Sequence, residues 1–333
     1  MRYLLEIVFA VSMLRGVFGE LVKADGLTFC CKDDEEVITT PKPLQPLQIP
    51  NGNNGVRISE QKCLEYSRRF CNSACAQGGT SVITPGKYPH MAAVGWRKSE
   101  EPGFSWLCSG SLLSENYVLT AAHCTNTRDN TFPSNRPDTV RLGELDFSID
   151  NTELQDIRIE SIITHPENKV PSKYHDLALL KLATPARFTN LIRPVCLWQN
   201  ENITRTTGQA SGWGKTTRLG NISKVLQEVE LTFFTNEKCS ESYGQTRTTK
   251  RGMIPEQLCA GNSTDGRDAC EGFGGGPLTI SEENDCSVCV HHQVGITSFG
   301  KSCGSAHPGV YTRISSYLDW IEGVVWPATH DLL

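Results

Sequence analysis

From about Gly78 to the end of the chain, short β-rich apolar runs alternate with turns. Tyr117-Val118-Leu119-Thr120, Leu177 to Leu182 and Val294-Gly295-Ile296-Thr297 are such runs, set between Gly, Asn and Pro turns. This spacing predicts an all-β domain, an antiparallel barrel or sandwich. Only the tail reads as a helix, because Tyr317, Trp320, Ile321, Val324 and Val325 recur at three- and four-residue intervals. No internal repeat is found. The stretch from Thr39 to Gly55 carries Pro41, Pro43, Pro46, Pro50, Gly52 and Gly55 with few core-forming side chains, and reads as a solvated linker. At the start, Arg2 precedes an apolar stretch from Tyr3 to Val17, broken by Glu6 and followed by Phe18-Gly19. That order is expected of a signal peptide over residues 1-19. A buried N-terminal helix is the alternative, disfavoured by the short run and its closing glycine. No later segment reaches the roughly 18 apolar residues that span a bilayer. The expectation is a secreted, extracellular protein without a membrane anchor.

A chain of 333 residues exceeds the usual single domain. The organisation expected is a pro-segment over residues 20-75 and one large domain over 76-333. An apolar content of 38 % and a charged content of 21 % are those of an ordinary globular protein. A net charge of -5 gives no reason to expect nucleic acid or an anionic membrane as partner. Fourteen cysteines fit an oxidising compartment, where they pair. Three glycosylation sequons, at Asn202, Asn221 and Asn262, suit a glycoprotein of the same compartment. No metal site and no cofactor is expected.

Two stretches carry chemistry. Thr120-Ala121-Ala122-His123-Cys124 sets a histidine at the end of an apolar strand, and His175-Asp176-Leu177-Ala178-Leu179-Leu180 sets an acid at the start of another. Acyl transfer by a serine enzyme needs an imidazole to take the hydroxyl proton and a carboxylate to hold that imidazole in one tautomer. Either stretch alone is unremarkable. Together with PGKYPHMAAVGW, CSGSLLSENYVLTAAHC, HDLALLKL, ASGWGKT, LCAG, DACEGFGGGPL, GITSFGKSCG and PGVYTRISSYLDWI, in that order, they resemble the chymotrypsin/trypsin family of serine proteases. The resemblance implies two six-stranded antiparallel β-barrels with the site between them, His123 as the general base and Asp176 as its orienting acid. A C-terminal helix and a disulfide-linked N-terminal pro-segment complete that expectation.

The chain departs from the family at the nucleophile. Where the family pattern reads Gly-Asp-Ser-Gly-Gly-Pro, this sequence has Gly272-Phe273-Gly274-Gly275-Gly276-Pro277. Gly274 takes the place of the serine, and loss of that nucleophile costs about a millionfold in turnover. The oxyanion-hole-like positions are Gly272 and Gly274. In the family, activation frees the ammonium of an Ile or Val to pair with the aspartate before the serine. Here the corresponding stretch is Cys75-Ala76-Gln77-Gly78-Gly79, with no basic cleavage residue and no Ile or Val, and the aspartate is Phe273. Phe273 is expected to pack inward and prop the loop; a ring at the mouth of the cleft is the alternative.

The same resemblance implies a pocket for a basic side chain, with Asp268 as counter-charge, Gly300 and Gly309 keeping it open and Ser298 on the substrate-pairing strand. It implies the disulfides Cys108–Cys124, Cys239–Cys259 and Cys270–Cys303. It also implies a tether from Cys196 to the pro-segment, for which Cys63 is chosen while Cys71 and Cys75 compete. Cys30, Cys31, Cys71, Cys75, Cys286 and Cys289 are left open. ISEQKCLEY and PHMAAVGW look like insect clip-type proteases of the snake-like group, with the clip module itself absent or truncated. The function implied is a catalytically inactive serine protease homologue, a binding cofactor or decoy in an arthropod immune-type cascade such as melanisation. Its partners would be extracellular cascade proteases or their substrates. The alternative readings are an active trypsin-like endopeptidase cleaving after Lys or Arg, and a venom or reproductive-fluid component.

Overall fold

Alternation with a period of two decides where each strand's side chains go. In β1 (Met91–Arg97), Ala92, Val94 and Trp96 enter one apolar cluster while Met91 and Ala93 enter another, beside Trp213 and Leu226. The same division runs through β2 (Phe104–Ser114), β3 (Tyr117–Thr120) and β6 (Ala178–Leu182). Leu112, Val118, Leu180 and Leu182 turn into the first cluster, and Leu113, Leu119 and Leu179 turn out into a third. With β4 (Thr139–Leu142) and β5 (Gln155–Thr164), these strands close a barrel in the order β1-β2-β3-β6-β5-β4. The computed structural model describes residues 55–69, 83–99, 102–215, 222–261, 273–282, 290–301 and 307–327.

The second barrel uses β8 (Thr207–Gly212), β9 (Gln227–Phe234), β10 (Gln257–Gly261), β11 (Pro277–Glu282), β12 (Val290–Phe299) and β13 (Gly309–Arg313). Its ring runs β11-β8-β9-β10-β13-β12 and closes through β11–β12, with the two-residue β7 (Cys196–Leu197) added in parallel to β12. Ala210, Leu231, Leu258, Leu278, Val294 and Tyr311 fill it. The cluster between the barrels joins Leu113, Leu119, Leu177 and Leu179 to Ile296 of β12 and to Ile321 and Val325 of the C-terminal helix. This seam is the floor of the candidate site.

The expectation that only the tail is helical is corrected here. Besides the C-terminal helix over Leu318–Val325, helices form over Ile58–Arg69 and Asn236–Tyr243; in chain order these are α1 (Ile58–Arg69), α2 (Asn236–Tyr243) and α3 (Leu318–Val325). α1 packs against β7 and α3. Tyr66 is buried edge-on to Phe188, and Cys63 is bonded to Cys196. Arg57 pairs with Asp319 and Glu322 of α3, and the Ser59 hydroxyl donates to Glu322 at 2.5 Å. Few apolar positions are needed in a helix docked this way, which is why its periodicity is faint.

Two histidines are sealed between the barrels. His90 is 1 % exposed, and its ring centroid lies 5.1 Å from that of His291. Burial, and then the neighbouring His291 and Arg193, hold His90 well below the ordinary histidine range. Burial holds His291 at about 4, opposed by a hydrogen bond to the Lys87 carbonyl. Both rings are therefore neutral in the fold but charge freely once it opens. Stability is complete above pH 6.5 and declines as pH falls toward 4. His291 alone is expected to remove about 3 kcal/mol over that interval. Urea unfolding midpoints measured from pH 7 to 4.5 check this, and a flat profile contradicts it.

Candidate active site

The register of β3 and β6 brings the two chemistry-bearing stretches together. Thr120 pairs with Ala178, so the residues just beyond β3 and just before β6 meet at one edge of the first barrel. His123 sits in a 3-10 turn over Ala122–Thr125, and the Cys108–Cys124 disulfide anchors that turn to β2. Asp176 is 2 % exposed. Its Oδ1 accepts the His123 amide at 2.9 Å, and its Oδ2 lies 2.8 Å from His123 Nδ1. The Ser298 hydroxyl donates to Oδ2 at 2.5 Å, and Thr312 Oγ1 donates to the Asp176 carbonyl at 3.0 Å. Burial alone would push the Asp176 carboxyl up. The His123 charge, with hydrogen bonds from the His123 ring, Ser298 and the His123 amide, outweighs burial and holds it below the usual carboxylate range. Asp176 is thus an ionised acceptor that fixes Nδ1 and leaves Nε2 free to face the cleft.

Nε2 faces residue 274. A β-carbon built on Gly274 would lie 2.8 Å from His123 Nε2, closer than real β-carbons approach, so the ring already occupies part of the space a side chain there would need. The turn that carries Gly274 is firmly tied. Ser109 N–H donates to the Gly274 carbonyl at 2.9 Å, Gly275 N–H to Thr297, Gly276 N–H to Phe273, and Thr297 N–H to Gly276. Gly275 has φ 76°, a left-handed conformation that suits glycine. Phe273 is 3 % exposed, its ring beside Gly212 of β8. A β-carbon at Gly212 would sit 3.1 Å from Phe273 Cδ1, so the glycine leaves room for the ring.

Ser298 is buried near the end of β12, Gly309 is buried at the start of β13, and Gly300 is exposed just past β12. Phe299 and Val310 are paired, which brings these positions side by side. Asp268, Gly272, Asn221, Asn262 and the expected Cys270–Cys303 bridge lie outside the described residues, as do the leader, the activation stretch and the six unassigned cysteines. Asn202 is exposed. Cys239 and Cys259 are bonded, joining α2 to β10. Sequence reasoning missed Thr312, which steadies the Asp176 backbone from 136 residues away. It also missed Ser109 and Gly212, which seat the Gly274 turn and Phe273. Nothing local in the sequence marks any of them.

This arrangement of two barrels, a histidine–aspartate pair and a glycine turn agrees with the family model for trypsin, which matches residues 77–321. The chain belongs to the trypsin family. Among its trypsin-family relatives, serine protease snk of Drosophila melanogaster is 41 % identical over 293 residues, covering 81 % of this chain and 65 % of the relative. The clotting factor G beta subunit of Tachypleus tridentatus is 34 % identical over 255 residues, covering 74 % and 79 %. CLIP domain-containing serine protease C9 of Anopheles gambiae is 32 % identical over 260 residues, covering 74 % and 67 %. Within the family, snk and the CLIP domain-containing protease C9 place the chain with the insect clip-type proteases. No helix among the described residues is long and apolar enough to cross a membrane.

Proposed function

We propose that this trypsin-family chain is a secreted serine protease homologue without peptidase activity, acting as a binding or regulatory cofactor or decoy in an extracellular protease cascade. The observation that carries the reading is the glycine at 274, which offers only hydrogens toward His123 Nε2. Serine-type acyl transfer begins with a hydroxyl attacking a carbonyl while an imidazole takes its proton. His123 and Asp176 supply the base and its orienter, and residue 274, which faces Nε2, carries no hydroxyl or thiol. The Ser298 hydroxyl donates to Asp176 from a buried position. Phe273 supports the same reading, since a buried ring replaces the carboxylate that the family's activation step requires. His123 and Asp176 then serve as a structural pair at the barrel seam. Partner binding is assigned to the cleft, with Asp268 as counter-charge to a Lys or Arg side chain and Ser298, Gly300 and Gly309 framing it. The cascade setting rests on a relative named for clotting and others named as serine proteases. The domain boundaries at 1-19, 20-75 and 76-333 belong to this proposal.

The intact His123–Asp176–Ser298 geometry favours the second reading, a working endopeptidase cleaving after Lys or Arg. Hydrolysis of Arg- and Lys-containing chromogenic peptides separates the two. The purified chain, before and after limited tryptic nicking and inhibitor quenching, is expected to stay about a millionfold below an active relative. Turnover that follows the chain through purification supports the endopeptidase.

A further inference from the structure

Among the described residues, three groups of His, Cys or carboxylate donors stand close enough to share a cation. Two depend on Cys63 and Cys196 or on Cys108 and Cys124, whose sulfurs are joined in disulfides. The third is His165, Glu167 and His175, on the segment that leads from β5 to Asp176. We propose that these three side chains bind a divalent transition-metal ion of the Zn2+ class.

One donor atom from each residue lies within 4.8 Å of the other two, and His175 Nδ1 is 3.9 Å from Glu167 Oε2. Two imidazoles with one carboxylate suit Zn2+ and its neighbours rather than Mg2+ or Ca2+, which take oxygen ligands. Metal–ligand bonds of about 2.0 to 2.2 Å in a tetrahedron set the donors about 3.3 Å apart, so binding draws them inward by about 1 Å. Exposed Glu167 is free to supply most of that movement. The rings are stacked with centroids 5.5 Å apart and an interplanar angle of 16°, so one of them tilts before both in-plane lone pairs reach a shared ion. His165 is 8 % exposed and held edge-on by Tyr317 and Trp320. The Tyr317 hydroxyl lies 2.9 Å from His175 Nδ1, the nitrogen that faces Glu167, and gives up that contact when an ion takes Nδ1. A second opposing interaction is a long contact from the Glu167 amide to His165 Nδ1 at 3.3 Å, which an ion at that nitrogen displaces.

His175 has φ 50°, the positive-φ residue other than glycine among those described, and it directly precedes Asp176. Sparsely populated backbone conformations persist where the surroundings over-determine them. An ion joining His175 to His165 fixes the segment that presents Asp176 to His123. This inference is independent of whether the chain has peptidase activity.

The test is calorimetric titration of the chelator-treated full chain with zinc chloride, in parallel with His175→Asn and Glu167→Ala. Asparagine tolerates the left-handed conformation and keeps the turn, and Glu167 is exposed, so both variants fold. The expected result is one ion per chain, a melting temperature that rises with zinc, and affinity weakened at least about tenfold in each variant. Absence of binding below about 1 mM zinc, or an affinity within tenfold of the parent in either variant, overturns the proposal.

Discussion

Replacing Cys63 and Cys196 together by alanine is expected to lower the unfolding free energy by about 3 to 5 kcal/mol. The disulfide joins residues 133 apart in sequence, and in the chain-entropy picture a loop of that length removes about 5 kcal/mol of freedom from the unfolded state. The native state changes far less. α1 keeps the Arg57 ion pairs to α3, the Ser59–Glu322 hydrogen bond and the buried Tyr66 ring. Loss of the bridge therefore acts mainly on the unfolded chain and leaves the helix docked. Guanidinium unfolding of parent and variant under non-reducing conditions measures the difference. A change under about 1 kcal/mol means that the tether is dispensable.

Phe273→Ala is expected to destabilise the protein by a similar amount, about 3 to 5 kcal/mol. The ring is 3 % exposed and seated against Gly212, in a turn tied by backbone hydrogen bonds to β2 and β12, so the cavity left behind cannot collapse easily. Phe273→Asp costs at least as much, because a desolvated carboxylate then replaces an apolar ring. Equal unfolding midpoints for parent and Phe273→Ala would remove the prop role assigned to this side chain. The comparison also bears on how the turn is held. A turn held by packing needs no freed ammonium to order it, whereas one that collapses in Phe273→Ala depended on the ring.

The strands were legible because each divides its side chains between two apolar clusters, and burial of both faces writes short continuous apolar runs bounded by turns into the sequence. Tyr117 to Thr120 was read with the bounds the structure has, and Val294 to Thr297 lies inside β12. Leu177 to Leu182 begins one residue ahead of β6. α1 and α2 were not legible. ISEQKCLEYSRR and NEKCSESY are mostly polar, and each is held by a disulfide and a few buried side chains instead of a continuous apolar stripe. β7 has two residues and takes its identity from pairing with β12, a contact no local pattern encodes. At the site, His123, Asp176 and the glycine turn were readable from motif resemblance. The side chains that hold them were not. Ser298 and Thr312 reach Asp176 across 122 and 136 residues, so their role exists only once the second barrel closes. The His165–Glu167–His175 group was equally hidden, because rings ten residues apart meet only when the segment folds back toward α3.

Covalent labelling probes the nucleophile directly. The native protein is incubated with a fluorophosphonate at saturating concentration, and its intact mass is compared with that of an untreated sample. With glycine before His123 Nε2, the mass is predicted to remain unchanged. A phosphonyl adduct on the native chain, mapped by peptide sequencing to any side chain of the cleft, would contradict the account.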